Sequence, residues 1–122
     1  MNEKLKMKRD DRGYLIELFK IPGVGQIFYS TSKPGITRGN HYHLRKRERF
    51  CVIEGSAKIR LRNRETGEIK EYLVSGDTPE IVDMPIHWTH NITNVGDNEM
   101  KLIVWISEVF DLKDPDTYRE EA

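Results

Sequence analysis

The sequence has a single cysteine, Cys51, so no internal disulfide framework holds the chain together. No apolar run approaches the roughly 20 residues of a membrane-spanning helix. The N-terminus, Met1 to Lys6, lacks the apolar stretch of a signal peptide. Neither charge is in excess: 20 basic and 20 acidic residues balance, which argues against a nucleic-acid-binding footprint. Internal repeats, low-complexity tracts and linkers are also missing. These absences point to a cytoplasmic protein that binds neither membrane nor nucleic acid. A chain of 122 residues has the usual size of one domain, so residues 1–122 are read as one unit.

What the sequence does contain is a succession of short β-rich runs divided by turn signals. Tyr14 to Phe19 and Gln26 to Ser32 read as strands around Pro22-Gly23. Further strands are expected at Arg49 to Glu54, Ala57 to Arg62, Ile69 to Val74, Glu80 to Met84, Thr89 to Asn94 and Lys101 to Ser107. In Ala57 to Arg62 the apolar Ile59 and Leu61 alternate with Lys58, Arg60 and Arg62, the period of a half-buried strand. Strands at such near-regular spacing imply a barrel or double sheet, an all-β fold. Asp114-Pro115-Asp116-Thr117 has the form of a helix start, so a short C-terminal helix is expected there.

His41 and His43 are two apart, and in a strand residues i and i+2 share one face. Glu48 follows across a bend and can return a carboxylate to the same point. His90 arrives from a different strand. Imidazoles and a carboxylate suit zinc, iron, manganese or nickel, and ligand type alone does not choose between them. His87 is the one histidine left over, three residues before His90, and is a candidate general base. Tyr42 is a candidate acid, although it lies between two inward histidines and so faces outward in a regular strand. Lys46 and Tyr29 are weaker candidates for proton transfer. Arg38 can bind an anionic or oxygen-rich ligand bidentately, or form an ion pair at the barrel rim. Trp88 can stack on a flat ring of a ligand, or pack in the core. Asp83 can orient a ligand imidazole, or merely end a strand.

The spacing Gly35, His41, His43, Glu48, Gly55 fits the first cupin motif, and Pro85, His90, Asn94 fit most of the second. The family usually has glycine where His87 stands. The chain therefore resembles the cupins, whose fold is a double-stranded β-helix, a jelly-roll barrel. Ser32 to His43, Val74 to Asp77, Val82 to Pro85, Thr89 to Ile92 and Asn94 to Asp97 are similar to the C-terminal cupin domain of CapF-type capsular polysaccharide enzymes. That resemblance runs from about Asp11 over nearly the whole chain. It implies a zinc site at His41, His43, Glu48 and His90. It also implies epimerisation at C3 of a UDP-linked 4-keto-6-deoxy-N-acetylhexosamine in polysaccharide biosynthesis, with Arg38 on a sugar oxygen or the diphosphate, Trp88 on a uridine or sugar face, and Tyr29 as a further substrate contact. The family's reductase domain is missing from this sequence, so a separate reductase is a possible partner.

Two related groups share parts of the pattern. The dTDP-sugar 3,5-epimerases share Asp-x-Arg-Gly and Arg-Gly-x-His, and the 3,4-ketoisomerases share Lys-Pro-Gly and Arg-Gly-x-His-x-His. A 3,4-ketoisomerase and a non-catalytic cupin that binds a sugar nucleotide are therefore the competing readings. Open sheet edges call for a partner, so a homodimer is expected, joined through the strand around Tyr14 to Phe19.

Overall fold

Alternation along each strand decides which face is buried, and two sheets result. The computed structural model describes residues 1–122 and contains no helix. In chain order the strands are β1 (Met7–Asp10), β2 (Gly13–Ile21), β3 (Gly25–Ser32), β4 (Thr37–Tyr42), β5 (Glu48–Glu54) and β6 (Ser56–Asn63). They continue as β7 (Ile69–Ser75), β8 (Ile81–Met84), β9 (Trp88–Asn94), β10 (Met100–Ile106) and β11 (Tyr118–Arg119). One sheet runs β1-β2-β3-β10-β5-β8 and the other β11-β4-β9-β6-β7. All pairings are antiparallel. The chain crosses between sheets repeatedly, which is the jelly-roll winding expected from the motif pair.

The core lies between the two sheets. On β6, Ala57, Ile59 and Leu61 point inward, and on β10 Met100, Leu102 and Val104 do the same. Phe50, Val52, Val82, Met84 and Ile92 complete the layer, with Phe28 and Trp88 packed against it. Each fully buried side chain of this kind contributes about 1.5–3 kcal/mol relative to an exposed one. The outward residues of β10, Ile103 and Trp105, are half-buried rather than core.

One irregularity positions the site. The β4–β9 register shifts between Gly39 and His41: Gly39 faces Asn91, and His41 faces His90. Asn40 is the extra residue of a bulge, with φ 60°, and Gly39 has φ 95°. A Cβ on Gly39 would come within 3.0 Å of the His90 carbonyl oxygen.

One expectation is corrected. No helix forms at Asp114–Thr117. Asp116 has φ 46°, which ends any right-handed turn, and its carboxylate accepts amides from residues 44–46 instead of starting a helix. The segment runs as an extended strap into β11. Of the strand around Tyr14 to Phe19, Tyr14–Ile16 is covered by β1, whereas Glu17–Phe19 pairs only with β3 and keeps its other side open. The edge strands of that sheet are β1 and β8.

Candidate metal centre

The bulge in β4 turns His41 toward His90, and the chain leaving β4 carries His43 inward. Glu48 opens β5 and points into the barrel, ahead of Phe50 and Val52 on the same face. His43, Glu48 and His90 are almost wholly buried, and His41 retains a quarter of its side-chain exposure. The Nε2 atoms of His43, His90 and His41 lie 2.5, 3.2 and 3.8 Å from Glu48 Oε1. One ligand atom from each of the four residues lies within 4.8 Å of the others.

This arrangement fits a metal ion. The His43 Nδ1–H donates to the Asp116 carbonyl at 2.6 Å, since a carbonyl can only accept. That bond favours the tautomer whose Nε2 carries a lone pair aimed into the cluster. His90 has both ring nitrogens buried without a hydrogen-bond partner, although its Nε2 is near Glu48. Buried polar atoms left unpaired cost about 1–3 kcal/mol each. A divalent cation would satisfy the three imidazoles and the carboxylate together. The spread of the four candidate ligand atoms is of the order that bonds of about 2.1 Å to one ion require.

The electrostatics agree for Glu48 and His41, while His43, set between two acceptors, would release a proton on binding a metal ion. Burial raises the Glu48 carboxyl, but the surrounding imidazoles outweigh burial and hold it well below the usual carboxylate range. Burial pushes His41 down, toward the neutral form that binds metal. For His43 burial acts in the same direction, yet Glu48 and the Asp116 carbonyl reverse the net shift and raise it.

The cluster opens onto a cavity of about 320 Å³, whose wall includes Phe28, Gln26, Phe110, Thr117 and Lys46. Lys46 is 1% exposed. Its Nζ donates to the Pro115 carbonyl at 2.6 Å and lies 5.2 Å from the Phe110 ring centre. Lys8 and Glu17 stand at the mouth, 3.6 Å apart.

The other sequence candidates lie outside this cavity. Tyr42 faces away from His41, stacks on Tyr118 at 5.2 Å and holds the Arg64 guanidinium over its ring at 3.8 Å. Tyr29 is on the outer face of its sheet beside Tyr14, and burial together with the Tyr14 hydroxyl raises its pKa. Arg38 is pinned by Ser32 Oγ at 2.9 Å and the Thr31 carbonyl at 2.8 Å. His87 occupies a turn with φ 66°, where its N–H donates to the His43 carbonyl. That left-handed backbone explains why glycine is usual at this position in the motif. Trp88 lines a separate cavity of about 330 Å³ with Lys70, Tyr72 and Ile81. Asp83 pairs with Arg49 at 2.8 Å on the outer face and reaches no imidazole.

Sequence reasoning missed Asp116, Phe110 and Thr117. The Asp-Pro-Asp signal was present, and Asp116 does cap backbone amides. They belong to a loop about 70 residues earlier, which local pattern does not reveal.

Known proteins share this fold. The chain is 46% identical over 112 residues to UDP-2-acetamido-2,6-beta-L-arabino-hexul-4-ose reductase of Pseudomonas aeruginosa. That match covers 92% of this chain but only 30% of the relative. It is 25% identical to the probable low-salt glycan biosynthesis epimerase Agl13 of Haloferax volcanii, covering 94% of this chain and 81% of that protein. The crystal structure of the capsular polysaccharide assembling protein CapF from Staphylococcus aureus superposes with a TM-score of 0.95 at 49% identity. It covers 99% of this chain and 35% of CapF, so the chain spans about a third of these longer relatives. A mutant of Bacillus subtilis oxalate decarboxylase shares the fold, with a TM-score of 0.76 at 22% identity over 94% of this chain and 30% of that one. Residues 8–118 match the family model for the polysaccharide biosynthesis C-terminal domain, and the chain belongs to that family.

Proposed function

We propose that residues 1–122, as a single cupin domain, form a cytoplasmic, metal-dependent epimerase. It acts at C3 of a UDP-linked 4-keto-6-deoxy-N-acetylhexosamine in polysaccharide biosynthesis. The observation that carries this reading is the convergence of His41, His43, Glu48 and His90 on one point of a cavity that also holds the buried Lys46. The names of the relatives, a UDP-hexulose reductase and a glycan epimerase, support a keto-sugar nucleotide as substrate. Zinc is the ion we assign, since it accepts both imidazole and carboxylate in closed geometry.

A proton α to a ketone is a weak acid, and its removal builds negative charge on the carbonyl oxygen. A divalent ion held by the four ligands supplies Lewis-acid stabilisation of that charge. The chain supplies the rest. Phe28 and Phe110 give the cavity apolar wall, which strengthens electrostatic contacts inside it. An ammonium has three N–H donors. One of those on Lys46 is bonded to Pro115, which leaves others for a substrate oxygen or for proton return. Arg38, Tyr29 and Trp88 stand outside the cavity, so their proposed substrate contacts would fall to parts of the nucleotide beyond the sugar.

Incubation of metal-loaded protein with a UDP-4-keto sugar in deuterated water tests the reading. NMR is expected to show deuterium entering at C3. Movement of the ketone to C3 would establish a 3,4-ketoisomerase instead. Tight binding without exchange would establish a non-catalytic sugar-nucleotide carrier, working with a separate reductase.

The homodimer belongs to the same proposal. β1 leaves its outer edge unpaired, and Met7, Phe19, Ile21 and Val24 are exposed nearby. Light scattering at micromolar concentration is expected to give twice the chain mass, and a monomer would contradict it.

A further inference from the structure

The strap before β11 does more than close the barrel. Asp116 joins two groups of the site through both its main chain and its side chain. Its carbonyl accepts His43 Nδ1–H at 2.6 Å. Its carboxylate accepts three consecutive amides of the loop between β4 and β5: Leu44 N at 3.0 Å, Arg45 N at 2.9 Å and Lys46 N at 2.8 Å. The preceding carbonyl, of Pro115, accepts Lys46 Nζ at 2.6 Å. Asp116 is 4% exposed and has φ 46°.

We propose that Asp116 is a positioning residue that fixes His43 and the Lys46-bearing loop in register with the metal centre. Three N–H groups of a short loop converge on one carboxylate, as in a backbone nest. The loop then has little freedom to rotate. The left-handed backbone presents the Asp116 carbonyl to the imidazole while the carboxylate meets the loop. The imidazole is held with Nε2 toward Glu48, and the ammonium is held at the cavity wall. Asp116 contacts neither the cavity contents nor the other ligands, so its action passes through these two residues. The inference rests on the metal-centre reading for its effect on affinity, and the loop contact stands independently of it.

The test compares the wild type with Asp116→Gly, Asp116→Asn and Glu108→Ala. Glycine keeps the left-handed backbone and removes the carboxylate. Asparagine keeps one acceptor oxygen. Glu108→Ala cuts the two-bond Arg45–Glu108 ion pair, another anchor of the same strap, without touching His43 or Lys46. Cobalt(II) titration followed by visible absorption reads affinity and ligand geometry. Amide exchange in the metal-free protein reads the loop. Asp116→Gly is expected to lower cobalt affinity by about 10–100-fold, the usual size of an outer-sphere effect. It should also shift the absorption band and speed exchange at residues 44–46 at least tenfold. Asp116→Asn should fall between, and Glu108→Ala should leave affinity and band unchanged. Wild-type affinity in Asp116→Gly overturns the proposal, as does an equal loss in Glu108→Ala, which would mark general loosening of the strap. A wild-type protein that binds no cobalt overturns the metal-centre reading as well as the positioning of His43. Normal exchange at residues 44–46 in Asp116→Gly overturns the loop contact separately.

Discussion

His41 and His90 stand directly opposite one another in the β4–β9 ladder, with ring centres 4.8 Å apart. They meet because Gly39 and Asn40 form a bulge that shifts the register immediately before His41. Without that extra residue the β4 side chains would be reversed, and His41 would point to solvent. The candidate metal centre therefore depends on a glycine that is not among its candidate ligands.

Gly39→Ala is expected to destabilise the protein by about 1–2 kcal/mol, the cost of a left-handed alanine. The added Cβ also presses on the His90 carbonyl. Urea denaturation gives the stability, and metal titration should show weakened affinity. Unchanged affinity would show that the bulge is not what aligns the two histidines.

Metal binding should raise stability by mass action, by about 2.7 kcal/mol at a hundredfold excess over Kd. His90→Leu is expected to abolish that gain. In the metal-free state the same variant should match or exceed wild-type stability, by about 1 kcal/mol, because it removes two buried ring nitrogens that have no partner. Thermal unfolding with and without zinc makes the comparison. A large loss in both states would identify His90 as a core group rather than a ligand.

Lys46 and His87 are separable. Lys46→Met keeps the buried stem and should retain metal while lowering C3 exchange by about a hundredfold or more. His87→Gly suits the φ of 66° and should keep full stability, whereas His87→Ala should lose about 1 kcal/mol. If exchange collapses in His87→Gly with metal retained, the base is His87. If neither variant affects exchange, Tyr42→Phe is the next to measure.

The C-terminal strap should loosen in acid. Burial raises the Asp116 carboxyl, but the Leu44, Lys46 and Arg45 amides outweigh it and depress the net value. Hydrogen bonds from Thr89 and Arg64 depress Glu120. A depressed carboxyl adds stability that is complete above its unfolded value, about pH 4, and is lost as pH falls through its folded value. Near-UV circular dichroism reads the Tyr42–Tyr118 stack, which is expected to persist at pH 6 and fade below about pH 4. Glu120→Gln should flatten part of that dependence. An unchanged acid profile in this variant would remove Glu120 from the account.

Eight of the strands and the four candidate ligands were legible along the chain, whereas β1, β4 and β11 were not among the expected strands. β6 and β10 follow from alternation of apolar residues, a property of neighbours along the chain. The pairing of His41 with His43, and the distances to Glu48 and His90, are also spacings along the chain. Tertiary structure decided the rest. Lys46 reads as one charge in a basic run, yet folding buries it beside Phe110. Trp88 stands two residues from a candidate ligand, on the same face of β9, but packs against the core and lines a different cavity with Leu61 and Val82. Asp114 to Thr117 carries a helix-start signal, and the same capping chemistry is satisfied by the amides of residues 44–46. A carboxylate takes whichever buried N–H groups the fold brings to it. Which ones those are is set by contacts between distant segments, and no local pattern contains them.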